Sequence, residues 1–482
     1  MTASKNILIS EGGRLKVPAF VNRFWRGAKV PASLVGRQSR QSAIGDQSLS
    51  ASMNLVTRLA LGGHHGSRRL FTRGGCGSLG LRRRSIHLVP SLVQPREPSD
   101  DDSPSATSAK DPSWVLLNPG GCRRVFREDD DSMADHNETL AESRTSTGQH
   151  HLRVSFRLTA PPAISFLCYD YAGTVPDDEK NHELAVIASH GDSILLRLRM
   201  TRRERRDGRG MPLTFDHFVY RAGTGTRPPS LTLLPELSFP RKYGRRRFLE
   251  GDTGVLRRGE DDLLVAQLDT GHHDDRPDLA NLCPDMTIPV GDRFLCGVCF
   301  YVGVVVCDMA EEASPKLRHV RLPVYYDPSY YTNDLPPLTE SKSMGAAGPS
   351  AVRFVAVEPR CCCGRHGRSS CPRSSFAFTV TTWTLTLTMD EPMAWVKDGV
   401  LDCEELWAMP GYEGLPRVHL QSPVVSLDNP DVVCFKVGGR HGGNQNAWMI
   451  EVDMRRKVLL AAVQWNSTGP WRARHLHIPA KV

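Results

Sequence analysis

No run of apolar residues in this chain is long enough to cross a bilayer as a helix. The longest, Phe294–Cys307, has 14 residues and is interrupted by Gly297 and Gly303, well short of the roughly 20 that a spanning helix needs. Helical periodicity is almost as scarce: only Glu138–Arg144 and Cys403–Met409 space their residues as a helix would, each over barely two turns. An even cysteine framework is also missing. Thirteen cysteines is an odd count in a 482-residue chain, and a chain of that length has no need of staples, so reduced thiols in a cytosol-like compartment are expected rather than a secreted disulfide scaffold. Acidic residues are nearly absent from the first 96 positions, which hold sixteen Lys or Arg against Glu11 and Asp46 alone. The remainder holds 45 basic and 51 acidic residues, so the formal charge of +8 belongs to the N-terminal stretch. That distribution argues against a globally basic surface for nucleic acid on the folded body.

The length admits two or three ordinary domains or one large all-β domain. Residues 1–111 read as a disordered basic tail, ending in a Pro/Ser/Asp-rich linker over 97–110. Within the tail, Met53–His87 carries seven arginines, no acid, several hydroxyl residues, and Leu55 and Leu59 at helical spacing beside Arg58. Organellar presequences share this composition, because a positive, weakly amphipathic helix is drawn to an anionic surface and an inside-negative potential. Translation from Met53 would expose it, and the expectation is a mitochondrial address, with nuclear or cytoplasmic residence otherwise.

From Trp114 onward, short period-2 runs recur between turn signals: Arg153–Leu158, Leu184–Ser189, Ser193–Leu198, Leu263–Leu268, Leu295–Cys307, Val352–Val357 and Phe376–Met389. The clearest stretch is Pro423–Trp465. Its runs Val424–Leu427, Val432–Val437, Ala447–Met454 and Val458–Trp465 are separated by an Asp428-Asn429-Pro430-Asp431 turn, a Gly-rich loop over Gly438–Asn446 and an Arg455-Arg456-Lys457 corner. This predicts a four-stranded antiparallel meander. Alternation puts Val433, Phe435 and Val437 on one face and Val432, Cys434 and Lys436 on the other; Trp448 shares a face with Ile450, Val452 and Met454, as core packing. In Phe376–Met389 the apolar phase changes from Phe376, Phe378 and Val380 to Trp383, Leu385 and Leu387 across Thr381-Thr382, which suggests a bulge there. The fold expected for residues 112–482 is all-β, a β-propeller-like array of antiparallel meanders.

Several blocks in order resemble one family. They are WVLLNPGGCRRV from Trp114, ESRTSTG from Glu142, LRVSFRLTAPPAISFLC from Leu152, and then ASHGDSILLRL, FVYRAG with PPSLTLLPEL, and DDLLVAQL. Two later blocks are CGVCFYVGVVVCDMAEEASPKLRHVRLPV, and PVVSLDNPDVVCFKV with WMIEVDMRRKVLL. Together they resemble the grass-expanded plant family called domain of unknown function 1618, over roughly Pro112 to Trp465, with the defining segment at about 298–435. Cys299, Phe300 and Tyr301 stand where that family favours a Trp-Val-Asp-like stretch. The resemblance implies a plant source, no assigned biochemical activity, and a propeller-like fold by analogy.

Candidate chemistry is sparse. Cys296 and Cys299 have the CxxC spacing of zinc and redox sites, but on a strand positions three apart face opposite ways and lie about 10 Å apart, so the pair is expected in the core. Cys361, Cys362, Cys363, His366 and Cys371 crowd a Gly/Arg/Ser/Pro-rich stretch where metal ligands could converge, without the spacing of a known knuckle. Gly191-Asp192-Ser193, after His190, imitates the block of a serine hydrolase superfamily, and Asp269-x-x-His272 supplies an Asp and a His. No Gly-x-Asn-Asp oxyanion block lies between them, and His190-Gly191-Asp192 reads better as a hairpin turn. Arg202–Arg209 and Arg241–Arg247 are Arg-rich loops without aromatics suited to base stacking, and they carry the nucleic-acid alternative. No catalytic, cofactor-binding or metal residue is assigned. The expected activity is that of a non-catalytic β scaffold for protein–protein recognition.

Overall fold

The computed structural model describes residues 112–123, 138–172, 182–201, 213–235, 248–269, 284–324, 338–361, 376–438, 447–465 and 477–481, except residues 149, 249, 250, 261 and 313. It also gives the backbone of three strands before residue 112: β1 (Ile9–Glu11) paired with β2 (Arg14–Lys16), and β3 (Ser52–Ala60). Strands dominate, as expected of an all-β chain. The first large sheet contains β4 (Val115–Leu117), β5 (Cys122–Arg123), β6 (Ala141–Arg144), β7 (His151–Arg157) and β8 (Ile164–Ala172). Its order is completed from the far end of the chain by β27 (Ile478–Ala480), which lies antiparallel to β4.

Meanders follow. One sheet is β9 (Glu183–His190), β10 (Ser193–Thr201), β11 (Leu213–Arg221) and β12 (Ser230–Leu233). The next has β13 (Thr253–Arg258) and β14 (Asp262–Asp269), with β3 as its third strand. Then come β15 (Met286–Val290), β16 (Phe294–Cys299), β17 (Gly303–Asp308) and β18 (Lys316–Val320). A short helix α1 (Leu338–Ser341) leads into β19 (Lys342–Ala346), β20 (Ala351–Pro359), β21 (Phe378–Thr386) and β22 (Trp395–Asp402). Helix α2 (Cys403–Trp407) is capped by Asp402 and boxed by Glu405, and it lies within the Cys403–Met409 stretch whose spacing predicts a helix, ending two residues earlier. The last sheet is β23 (Leu420–Val425), β24 (Val432–Val437), β25 (Ala447–Asp453) and β26 (Val458–Trp465), antiparallel throughout as the Pro423–Trp465 pattern predicts, except that its first strand runs from Leu420 to Val425 rather than from Val424 to Leu427, because Ser426 and Leu427 already belong to the turn.

Each of the six larger sheets contributes to an apolar core on both of its faces. Ile187, Leu195 and Val219 of the β9–β12 sheet pack on Val255, Leu263 and Val265 of the next. Leu256, Leu264 and Ala266, facing the other way, pack on Leu295, Val305 and Cys307. The same arrangement recurs between the β15–β18 and β19–β22 sheets, and between the β19–β22 and β23–β26 sheets. First strands also touch: β9 with β13, β13 with β15, β15 with β19, β19 with β23, β23 with β27, and β27 with β9. Stacked sheets with interdigitating side chains bury apolar surface on two sides, so strands such as β16, β17 and β24 are buried along their whole length.

Four expectations are corrected. Phe294–Cys307 is a hairpin, turned at Phe300-Tyr301-Val302; at Gly303 a Cβ would meet the Val320 carbonyl oxygen at 2.4 Å, so only glycine fits. Glu138–Arg144 is not helical, because Ala141–Arg144 pairs with β7 as strand β6. Around Thr381-Thr382, β21 runs unbroken against β20, with Phe378 and Val380 in one inter-sheet core and Trp383 and Leu385 in the other. The register slip falls on the β22 side, between Thr382 and Trp383. Last, Ser52–Ala60, within which Leu55 and Leu59 were spaced as on a helix, is extended and paired with β14. Residues 62–111 lie outside the described residues.

Candidate functional site

His190 and Ser193 pair across the two-residue turn Gly191-Asp192, with Gly191 at φ 56°, so the hydrolase-like block is the hairpin its sequence suggests. The Ser193 hydroxyl, fully buried, donates to Asp192 Oδ1 at 2.9 Å. Asp192 also accepts from Arg221 Nε at 3.1 Å, Arg227 Nη2 at 3.1 Å and Arg257 Nε at 2.9 Å. Burial pushes the Asp192 carboxyl up, but the hydrogen bonds from Arg221 and Ser193 and the Arg257 charge outweigh it and hold the group below its ordinary value. Arg221 and Arg257 further donate to the Glu260 carbonyl oxygen. The ring of His190 is engaged too: its Nδ1 accepts the Arg257 backbone N–H at 2.8 Å. A nucleophilic serine must give its proton to a base, whereas this hydroxyl is committed to a carboxylate already ringed by guanidinium groups. The cluster clamps the β9–β10 turn to β11 and to β13 of the next sheet. His272 lies outside the described residues. Nothing in the local sequence could reveal the arginines, which arrive from 29 to 65 positions away.

The CxxC pair divides as strand geometry requires. Cys296 lies in the core between the β15–β18 and β19–β22 sheets, and Cys299 in the core on the other side of its own sheet. Every described cysteine is a free thiol. Burial raises the Cys296 thiol to about 12 and pushes Cys307 and Cys434 well above their ordinary value. Of the cysteine-rich stretch only Cys361 is described, and it is buried; Cys362, Cys363, His366 and Cys371 lie outside the described residues, as do Arg202–Arg209 and Arg241–Arg247. Among the described residues no group of three or more His, Cys, Asp or Glu is placed to hold a metal. In the native protein at pH 8, iodoacetamide should therefore alkylate the partly exposed Cys122 and leave Cys296, Cys299, Cys307 and Cys434 unmodified until denaturant is added. Mass spectrometry of peptides checks this, and rapid labelling of Cys296 would contradict the buried placement.

Charged side chains are buried where sheets meet. Arg353 on β20 bridges Asp398 at 2.8 Å and Asp431 at 2.7 Å, tying the outer strand β22 to the β23–β24 turn. Asp398 is the residue that the β22 register slip inserts, and it also accepts from Thr384 Oγ1 at 2.7 Å. Lys342 opens β19 with 1% exposure; burial lowers its pKa, while Glu358 and Asp285 pull it back up. Lys436 on β24 is similarly lowered by burial, with Glu340 opposing.

One edge differs from all this. Strand β26 forms the outer margin of its sheet and exposes Val458, Leu460 and Val463 at 45%, 49% and 40%. These are three of only six large hydrophobics exposed among the described residues, so the apolar surface is concentrated there. Beneath it, Trp448 packs against the core with Ile450, Val452 and Met454, as its alternation predicts.

Residues 298–434 match the model of a family described as a protein of unknown function, DUF1618. The chain is a DUF1618-domain protein. A comparison with curated proteins gives no significant match. The DUF1618 segment runs from the end of β16 into β24, so it holds Arg353, Asp398, Asp431 and Lys342 and leaves out both the Asp192 clamp and β26. What the matched segment holds is therefore chiefly the packing of the β19–β22 sheet between its neighbours.

Proposed function

We propose that the DUF1618 domain belongs to a closed, six-bladed propeller-type scaffold whose work, in a plant cell, is to recognise another protein. Support for closure comes from the order of inter-sheet packing. Six apolar clusters each join one sheet to the next, and the sixth, with Trp114, Leu116 and Ile164 against Val424, Cys434 and Met449, links the last meander to the sheet built on β4 and β8. The first cluster then joins that sheet to β9–β12. Strand β27, between β23 and β9, would be the clasp; the Ser189 hydroxyl donates to the Pro479 carbonyl oxygen at 2.6 Å across it. Radial stacking of this kind leaves short margins and turns as the accessible surface.

Recognition is favoured over chemistry by where the exposed apolar groups lie. Tyr301 and Phe376 sit in or beside turns, and Val396, Val458, Leu460 and Val463 lie on outer strands. Val458, Leu460 and Val463 share one strand, and exposed apolar surface gathered in one place marks a contact surface for another macromolecule. Photo-crosslinking residues placed singly at Tyr301, Phe376, Val396 and Leu460 in the full chain, expressed in plant cells, should yield a protein adduct of defined mass from at least one position. Adducts that nuclease removes would favour the nucleic-acid alternative carried by Arg202–Arg209 and Arg241–Arg247. No adduct from any of the four would overturn recognition by these surfaces.

A further inference from the structure

Outer strands usually protect their unpaired backbone groups with charge, bulges or cover. Three of the other margins follow that rule. Strand β12 packs against β6, β18 carries Lys316, Arg318 and His319, and β22 carries Lys397, Asp398 and Asp402. Strand β26, with the sequence VLLAAVQW, has no charged residue at all, and only β25 pairs with it among the described residues. Its register slips once: Glu451 pairs with Ala461 and Val452 with Leu459, so Leu460 is the extra residue and is turned outward. Beyond that bulge, Ala461–Trp465 is a regular run paired residue for residue with β25. Alternate N–H and C=O groups of such a run point away from the sheet, which is the template that strand addition uses.

The corner before β26 supplies the charge. Arg455 and Arg456 have side chains 83% and 80% exposed, with contacts to Asp431 and Asp453 only at 3.6 and 3.8 Å. Ion pairs this open are weak and readily exchanged. The third cation of the corner, Lys457, is by contrast held by Glu405 at 2.7 Å. Two exposed, loosely paired guanidinium groups therefore stand at one end of an uncharged, apolar edge.

Building on the recognition reading, we infer that the free edge of β26 docks an extended segment of a partner protein as an added antiparallel strand. The segment alternates apolar residues and ends in carboxylates that meet Arg455 and Arg456. Antiparallel addition continues the pairing of the whole sheet and sets the C-terminal end of the segment beside the Arg455-Arg456 corner, so the acidic residues belong at that end. Apolar side chains of the segment would cover Val458, Leu460 and Val463, and the paired arginines fix orientation and register.

Selection of a random twelve-residue peptide library, displayed on phage, against the full chain tests this. Enriched sequences should alternate apolar residues and finish in Asp or Glu. Val463→Lys, an exposed change that circular dichroism should show to be folded, should weaken their binding about tenfold or more. Combined Arg455→Glu and Arg456→Glu should switch the preference to peptides ending in Lys or Arg. Peptides indifferent to both variants would overturn the β26 site while leaving recognition elsewhere on the scaffold intact. A library that enriches nothing on any surface would overturn both readings. A dimer in sedimentation velocity that Val463→Lys dissociates would assign the edge to a second copy of this chain, against a heterologous segment.

Discussion

Between pH 6.5 and 4 the folded protein should lose stability steeply, by roughly 3 kcal/mol for each of two histidines. His190 and His217 both have pKa values lowered from 6.5 to about 4, burial being the larger cause in each. The Arg257 charge adds to the effect at His190, with Lys481 in the same direction and Asp292 against it, and Arg197 adds to it at His217. Above pH 6.5 both rings are neutral, folded or unfolded, and the shift has no effect. As pH falls through the window, the unfolded chain takes up protons that the folded one refuses, so the equilibrium moves toward unfolding until about pH 4. Geometry gives the same sign at His190, because a proton on Nδ1 would abolish the bond it accepts from the Arg257 N–H. A second loss begins below 3.8, where Asp192, Asp308 and Asp402, all held below the ordinary carboxylate range, surrender their stabilisation as they protonate. Urea unfolding at pH 7, 5.5 and 4.5 measures the slope. His217→Phe and His190→Asn, the latter keeping an acceptor near the Nδ1 position, should each flatten it, and a midpoint that ignores pH across this range would mean that water reaches both rings.

Where sequence reading succeeded, local rules were sufficient. The last three runs after Pro423 became β24 to β26, with β23 displaced toward Leu420, because alternation, an Asx turn and a polar corner hold locally: Asn429 Oδ1 accepts from the Asp431 N–H at 3.0 Å, and Asp453 Oδ1 caps the N–H groups of Arg455 and Arg456. The separation of Cys296 from Cys299 followed from the period of a strand alone. Two of the failures share one cause, the assumption that a sheet has a wet face. Phe378 and Trp383 are out of phase on a sheet with one apolar face, which predicts a bulge between them; with both faces covered, each phase has its own core. The same double burial made Phe294–Cys307 read as one continuous run, since a hairpin buried on both faces shows no polar alternation to mark its turn beyond Gly303. The Asp192 clamp and the Arg353 bridge were invisible for a different reason. Their partners are 29 to 78 residues apart in sequence, and an isolated arginine carries no signal of the carboxylate it will meet. Strand β26 was legible as a strand but not as a margin, because strand order within a sheet is a tertiary fact.

Arg353→Ala should cost about 2–3 kcal/mol, less than the roughly 3–5 kcal/mol of a fully buried pair because the Asp398 and Asp431 side chains keep 28% and 24% of their exposure. The arginine is 9% exposed, and its two terminal nitrogens each hold a carboxylate, Asp398 at 2.8 Å and Asp431 at 2.7 Å. Truncation takes their shared cation from two acids that water reaches in part, and leaves Asp431 with Arg455 at 3.6 Å, itself mostly in water. Asp398 would still be held by Thr384, but a hydroxyl offers a hydrogen bond and no compensating charge. The expected result is a lower urea midpoint with the slope unchanged, since the folded state should keep its sheets and lose only the bridge. Arg353→Lys should lie between the two, because an ammonium retains the charge without the planar fork that reaches both acids. A triple change, Arg353→Met with Asp398→Asn and Asp431→Asn, removes the uncompensated charge and should recover much of the loss. Arg353→Ala as stable as the parent would mean that the bridge is solvated, and the β19–β22 and β23–β26 sheets would then owe their alignment to Val355, Phe378, Val433 and Phe435 in the core between them.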